Sequence, residues 1–248
     1  MMLLADIGNT RIKWLAWEQG QVRRRGGLRH RGVDRRRLGP QLWGRLERPA
    51  QVWIANVAGP EMAAALSAWI VEAWSLEARF AHTEAAGFGV RCAYAVPSRL
   101  GVDRWVAMIG ARSLTRQVCC VVDCGTATTI DALSPAGGHL GGVIFPGIRL
   151  MRESLYRDTR QIPAEAGTVT LFGRDTMDGV WGGTAYAVAA AIDRITRQMA
   201  ADMGGPACRL LTGGDAEALL PYLEGDYRLE PDLIFQGLLV MAGERPGG

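Results

Sequence analysis

The stretch LLADIGNTRIKW, residues 3–14, decides how the rest of the chain is read. An apolar run stops at Asp6, crosses Gly8-Asn9-Thr10 and resumes with the alternation of a half-buried strand. That pattern predicts two antiparallel strands joined by a tight turn. Asn-Gly-type residues supply the positive φ that such turns use. Composition draws further attention to the same place. Of 28 basic residues, Lys13 is the sole lysine, and the only asparagines are Asn9 and Asn56. An arginine bias of this kind reflects the coding DNA. Yet an ammonium meets a phosphate as a compact point charge, which a planar guanidinium does not. The survival of Lys13 beside Asn9 favours a functional reading of residues 6–13.

Outward from there, strands are expected at 2–7, 11–17 and 20–28, a helix at 34–46, a strand at 51–55 and a helix at 60–74. In that last helix Met62, Leu66, Trp69, Ile70 and Ala73 recur at helical spacing. A strand at 76–81, a loop at 83–100 and a helix starting at Asp103 follow. Then the opening pattern returns. CCVVDCGTATTIDAL, residues 119–133, is again an apolar strand, an acid, a Gly/Thr turn and an alternating strand, with GHLGGVIFPG as a third strand. The echo of Asp6 in Asp123 implies two similar α/β halves, 1–112 and 113–248.

Two small-residue hairpins facing one another across a cleft can offer backbone N–H groups and threonine hydroxyls to phosphate oxygens. Gly8 and Gly125 allow close approach because no Cβ intervenes. Thr10, Thr126 and Thr128 can donate hydrogen bonds, Lys13 can neutralise charge, and Asp6 can hold Mg²⁺.

Other signals set bounds. The apolar fraction is 48% and the charged fraction 21%, ordinary values for a soluble domain. No run has transmembrane length and the N-terminus lacks a signal peptide's pattern, so the chain reads as cytoplasmic with no membrane partner. Five cysteines without zinc-like spacing read as reduced thiols, and three scattered histidines form no ligand pair. The arginine-rich run VRRRGGLRHRGVDRRR, 22–37, lacks the interleaved aromatics of a nucleic-acid surface, and the net charge is only +3. It reads as a solvated hairpin and helix start. A helix near 183–203 is dense in alanine, and LTGGDA (211–216) reads equally as a nucleotide-facing turn or a plain strand-to-helix connection.

DIGNTRIKW, YAVPSRLGVDRW, DCGTATTID and GGVIFPG together resemble the type III pantothenate kinases, members of the acetate and sugar kinase/Hsp70/actin superfamily. The likeness runs over nearly the whole chain, in order. It implies two ribonuclease H-like (actin-like ATPase) halves with mixed sheets and an ATP cleft between them. It implies that Asp6, Ile7, Gly8, Asn9, Thr10, Arg11, Ile12 and Lys13 line the ATP phosphates, with Asp6 near Mg²⁺, and that Thr126 is the contact from the second hairpin. Asp123 corresponds to the ligand of a monovalent cation, K⁺ or NH₄⁺. Tyr94, Gly101, Val102, Asp103 and Arg104 correspond to the pantothenate pocket, with Asp103 as the base. Thr176 matches a pantothenate-contacting threonine lent by the partner subunit of a homodimer. Val96 departs from the family pattern, which often has a polar residue before that proline.

The chemistry fits Asp103: a carboxylate within reach of an acceptor hydroxyl orients it and takes its proton. An Asp at a helix start also satisfies orphan N–H groups. Two other functions are compatible with the sequence: a kinase for another small alcohol such as a sugar, and a non-catalytic accessory or regulatory protein on the same fold. The presence of Lys13, Asp103 and Asp123 weighs against the second.

Overall fold

Strands β1 (Met2–Ile7), β2 (Arg11–Glu18) and β3 (Gln21–Arg29) form the antiparallel meander that the opening pattern predicts. The structure is a computed structural model and describes residues 1–159, 162 and 165–244. β1 is apolar on both faces because it is central. β2 flanks it on one side and β4 (Gln51–Asn56) runs parallel to it on the other.

Between β3 and β4 a 3-10 turn at Arg35–Arg37 leads into α1 (Leu38–Trp43), a shorter helix than 34–46. α2 (Pro60–Trp74) follows β4. Pro60 presets its first turn, and Ser75, at φ 52°, ends it in the left-handed region. Met62, Leu66, Ile70 and Trp74 form its buried stripe against Leu3, Ile7 and Ile54. Trp74 takes the place expected for Ala73, which is exposed. It packs edge-on to Trp69 with centroids 4.8 Å apart, and Trp43 completes the cluster. β5 (Arg79–Phe80) is much shorter than the strand expected at 76–81. The 83–100 region holds a two-residue pair, β6 (Ala86–Gly87) with β7 (Val90–Arg91), before α3 (Val102–Leu114).

The second meander is β8 (Cys119–Cys124), β9 (Ala127–Leu133) and β10 (His139–Pro146). Then come α4 (Ile148–Asp158), α5 (Thr176–Asp202), β11 (Cys208–Thr212), α6 (Ala216–Leu219) and β12 (Arg228–Leu229). The sheet orders are β3-β2-β1-β4-β5 and β10-β9-β8-β11-β12. Each is a three-strand antiparallel meander followed by two parallel strands, so the echo in sequence is an echo in topology. Val188 and Ile192 of α5 cover Cys120, Val122, Ile130 and Leu211 of the second sheet. Each fully buried aliphatic side chain contributes about 1.5–3 kcal/mol.

The expectations assigned nothing to 148–158, which forms α4, and began the long helix near 183. α5 starts seven residues earlier, capped by the Asp175 carboxylate, which accepts from Asp178 N–H at 2.9 Å. Gly179, Gly182 and Gly183 disguise that first part as a loop. Gly182 sits where any Cβ would run into the Thr170 backbone, so close contact rather than flexibility explains it.

The chain divides into two compact units, Met1–Leu114 with the segment from Asp232 onward, and Thr115–Pro231. This corrects the expected second half, 113–248. The last helix, α7 (Leu233–Met241), packs on α3 of the first unit. Its backbone comes so near that Gly110 of α3 lies against Leu233 O, and Gly237 of α7 against Val106 O. No helix among the described residues is long and apolar enough to cross a membrane.

Candidate active site

Asp6 is the penultimate residue of β1 and lies directly across from Lys13 in β2. Side chains alternate across a strand, so this acid–ammonium pair occupies the face opposite Leu3, Ala5 and Ile7, which belong to the core. Asp123 is likewise penultimate in β8 and lies across from Thr129, on the face opposite Cys120, Val122 and Cys124. The two acids hold equivalent register positions in equivalent sheets. Lysine stands opposite one, threonine opposite the other.

The turns between the strands differ from expectation. Neither Gly8 nor Gly125 has a positive φ, and nor does Asn9 or Thr10. The first turn is closed by Gly8 N–H donating to Arg11 O at 3.1 Å, the second by Gly125 N–H donating to Ala127 O at 3.1 Å. Here glycine serves close approach rather than handedness: a Cβ would sit 3.3 Å from Arg11 O in one turn and 3.4 Å from Ala127 O in the other. Asn9 and Arg11 are exposed and Thr10 is half-buried, whereas Ile7 and Ile12 are wholly buried and can offer a ligand only backbone. Thr128 differs from its expected role as a phosphate donor. It is fully buried on the Cys124 and Ile130 side of β9, and its hydroxyl has no hydrogen-bond partner.

In the first unit, five further predicted residues, Tyr94 and Gly101 to Arg104, come together at the start of α3. The Asp103 carboxylate accepts the Arg104 N–H at 2.8 Å and folds back over Gly101, where a Cβ would approach Oδ1 to 2.6 Å. The carboxylate thus lies close over Gly101, at a helix start, where the helix dipole stabilises negative charge. Arg104 is only 6% exposed, and its guanidinium donates to Tyr94 Oη at 3.1 Å while lying 5.9 Å from the ring centroid. Gly101 and Val102 also border a pocket of ≈ 580 Å³ lined by Asn56, His82, Thr83 and Arg99 among others. Thr176 lies elsewhere in the second unit. It is exposed in the first turn of α5, at a groove lined by Met151, Leu155, Gly179, Val180, Gly183 and Thr184.

Residues 2–198 match the sequence profile of the type III pantothenate kinases. The chain belongs to that family. It is 36% identical over 249 residues to a type III pantothenate kinase of Nitrosococcus oceani, a match covering 98% of this chain and 94% of that one. Among solved structures it is similar to the activator of the 2-hydroxyisocaproyl-CoA dehydratase from Clostridium difficile with bound ADPNP. There the TM-score is 0.56 and the identity 11%, with 97% of this chain and 93% of that chain covered. MreB 5 of Spiroplasma citri bound to AMPPNP gives a TM-score of 0.52 at 10% identity, with 98% of this chain and 96% of that chain covered. At such identities these two likenesses concern fold alone: the chain has the fold of the actin-like ATPases.

Against this family background, some neighbours of the motifs stand out that sequence reasoning passed over. Asn56, the second of the two asparagines, ends β4 beside Ile7. Its amide donates to Gly59 O at 2.9 Å and accepts from Ala58 N–H at 3.0 Å, pinning the loop that borders the pocket with Gly101. Its rarity was the available signal. Arg149, in the first turn of α4, places Nη2 3.5 Å from Thr126 Oγ1 and pairs with Glu153. Gly213, at φ +103°, follows β11 where a Cβ would sit 2.5 Å from Asp123 Oδ1 and from the Cys124 backbone. LTGGDA therefore packs beside the predicted cation ligand.

The arginine-rich stretch is largely engaged within its own unit. Arg25 pairs with Asp232 at 3.0 Å, Arg24 donates to Arg45 O at 3.2 Å, Arg35 pairs with Glu61, and Arg36 with Asp34. The Arg36 backbone and side chain hold the Asp34 carboxyl below the usual carboxylate range. The cysteines are all free thiols. Burial pushes the Cys120 thiol up to about 11 and raises Cys124 further still. Cys208 is drawn down to about 7, chiefly by a hydrogen bond from the Cys119 thiol across the β8–β11 register.

Proposed function

We propose that this chain transfers the γ-phosphoryl group of ATP to the primary hydroxyl of pantothenate, giving 4′-phosphopantothenate at the entry to coenzyme A synthesis. The observation that carries this reading is the Tyr94–Gly101–Asp103–Arg104 cluster at the start of α3, in a chain of the pantothenate kinase family. Phosphoryl transfer asks a protein mainly to align the nucleophile with the γ-phosphate and to neutralise charge. Asp103 accepts the proton of the pantothenate hydroxyl as its oxygen bonds to phosphorus, and the bond to the ADP oxygen breaks. Arg104 carries the charge that meets the substrate carboxylate. The Tyr94 hydroxyl accepts one of its N–H groups, and the planar fork of donors that remains is one a lysine could not reproduce.

The first hairpin, Asp6 to Lys13, contacts the ATP phosphates through backbone N–H groups, Thr10 and Lys13, and Thr126 is the contact from the second hairpin. A half-buried carboxylate at a strand end suits the one or two that Mg²⁺ takes beside phosphate oxygens, which supports Asp6 as the residue that would hold it. Held there, Mg²⁺ would supply positive charge to offset that of the phosphates. Asp123 has Thr129 and Thr212 as register neighbours and a Cβ-free space at Gly213, an oxygen-rich setting that suits K⁺ or NH₄⁺. The chain acts as a homodimer in the cytoplasm, with Thr176 contributed to the partner's pantothenate pocket. The exposure of Thr176, Gly179 and Gly183 along an apolar groove supports that arrangement.

A coupled ADP-release assay with pantothenate, Mg²⁺-ATP and K⁺ tests the reading on the native chain and on Asp103→Asn. Pantothenate-dependent turnover that collapses by about 10²–10⁴ in the variant is expected. Turnover that survives would remove Asp103 from the role of base. No pantothenate-dependent turnover in native, folded protein would sink the kinase reading itself.

A further inference from the structure

His30 stands at the end of the arginine-rich strand, just past β3, and makes two bonds to the first hairpin. Its Nε2 lies 2.8 Å from Gly8 O, and its backbone N–H donates to Thr10 O at 3.2 Å. A carbonyl oxygen has only lone pairs to offer, so Nε2 carries the proton in this contact. One residue therefore tethers the carbonyls on both sides of Asn9.

The geometry of the peptide group turns this tether into an orienting device. In a planar trans peptide the C=O and the following N–H point in opposite directions. Holding Gly8 O and Thr10 O toward His30 directs the Asn9 and Arg11 N–H groups away from it. We propose that His30 is a positioning residue for nucleotide binding: its imidazole N–H fixes the peptide planes of the first hairpin so that its amides present to phosphate. This rests on the reading of Asp6–Lys13 as a phosphate-binding hairpin. It also gives the 22–37 stretch a task other than binding an acidic partner: the strand carries His30 to the hairpin. His30 does not touch substrate; it acts through the backbone.

The test compares the native chain with His30→Gln, whose side-chain amide can place a donor near Nε2, and with His30→Leu, similar in size and without a donor. For each, KM for ATP, KM for pantothenate, kcat, Mg²⁺-ADP affinity by titration and thermal midpoint are measured. The expected result is a rise of roughly tenfold in KM for ATP and in the ADP dissociation constant for His30→Leu, as the loss of about one hydrogen bond gives. KM for pantothenate stays within twofold, and His30→Gln recovers most of the loss. A general structural defect would instead lower the midpoint and disturb both substrates together, which overturns the proposal. So does a His30→Leu variant with native nucleotide affinity, or a His30→Gln variant no better than Leu at equal thermal midpoint. A native chain that binds no nucleotide would overturn the hairpin reading itself, and the brace with it. A native chain that turns over while His30→Leu behaves normally overturns the brace alone.

Discussion

The Arg104 guanidinium donates to the Tyr94 hydroxyl, ten residues away, at 3.1 Å, and Arg104 is almost wholly buried. A buried cation keeps its charge at a desolvation cost, which the Tyr94 hydroxyl offsets in part and an incoming carboxylate offsets further. The proposed pantothenate contact can therefore be tested on this pair. Arg104→Lys is expected to raise KM for pantothenate by about tenfold or more, since an ammonium lacks the planar fork. Tyr94→Phe should raise it less, because the ring remains. Steady-state kinetics at saturating ATP checks both, and equal effects from the two would contradict the division of labour.

Gly213 couples the second hairpin to β11. With φ at +103° and a Cβ only 2.5 Å from Asp123 Oδ1, Gly213→Ala is expected to cost about 1–3 kcal/mol of stability. Under the proposed role of Asp123 as a K⁺ ligand, the same change should shift the midpoint of a K⁺ titration of activity to higher concentration. Loss of stability with an unchanged midpoint would detach Gly213 from the cation site.

Cysteine reactivity should separate by position. Cys208, drawn to about 7, is largely thiolate above that pH, so its alkylation by iodoacetamide should rise about tenfold per pH unit below 7 and level off above it. Cys120, pushed to about 11 and fully buried, should remain unlabelled throughout that range. Peptide mass spectrometry after timed labelling reads this directly. A shared midpoint near 8.5 for all thiols would show that the Cys119 hydrogen bond does not form.

The α5 groove gives a test of assembly. Gly183→Leu should fill the open stripe beside Thr176 and shift light-scattering mass from dimer to monomer, with activity falling in parallel. Thr176→Ala should leave the mass unchanged and raise KM for pantothenate. A native chain that is monomeric at working concentration would remove the assigned role of Thr176.

Both meanders were legible because their central strands must be apolar throughout and their turns carry distinctive residues. β1 and β8 could be bounded to within a residue from the runs ending at Asp6 and Asp123. The start of α3 was legible for the same local reason. What could not be read depended on contacts distant in sequence. The glycines of early α5 look like a loop until Thr170 is seen against Gly182. β5 is short because only Arg79 and Phe80 pair with β4. At the candidate site, the side chains that carry chemistry were visible as motifs, whereas the residues that aim them were not. Arg149 and His30 reveal themselves only through what they touch, while the rarity of Asn56 and the LTGGDA turn around Gly213 gave signals without a role.

The packing of α7 on α3 makes Thr115–Pro231 an insertion within the first unit rather than a successor to it. During synthesis the residues that complete the first unit are thus made only after the whole of Thr115–Pro231. Until they emerge, the glycine-lined surface of α3 at Gly110 has no helix to receive. A nascent chain paused near Pro231 would hold a second unit with all its segments present beside a first unit still lacking its closing helix. A chain that stopped at Pro231 would lack the helix that closes its first unit, so the damage would fall on the part made first.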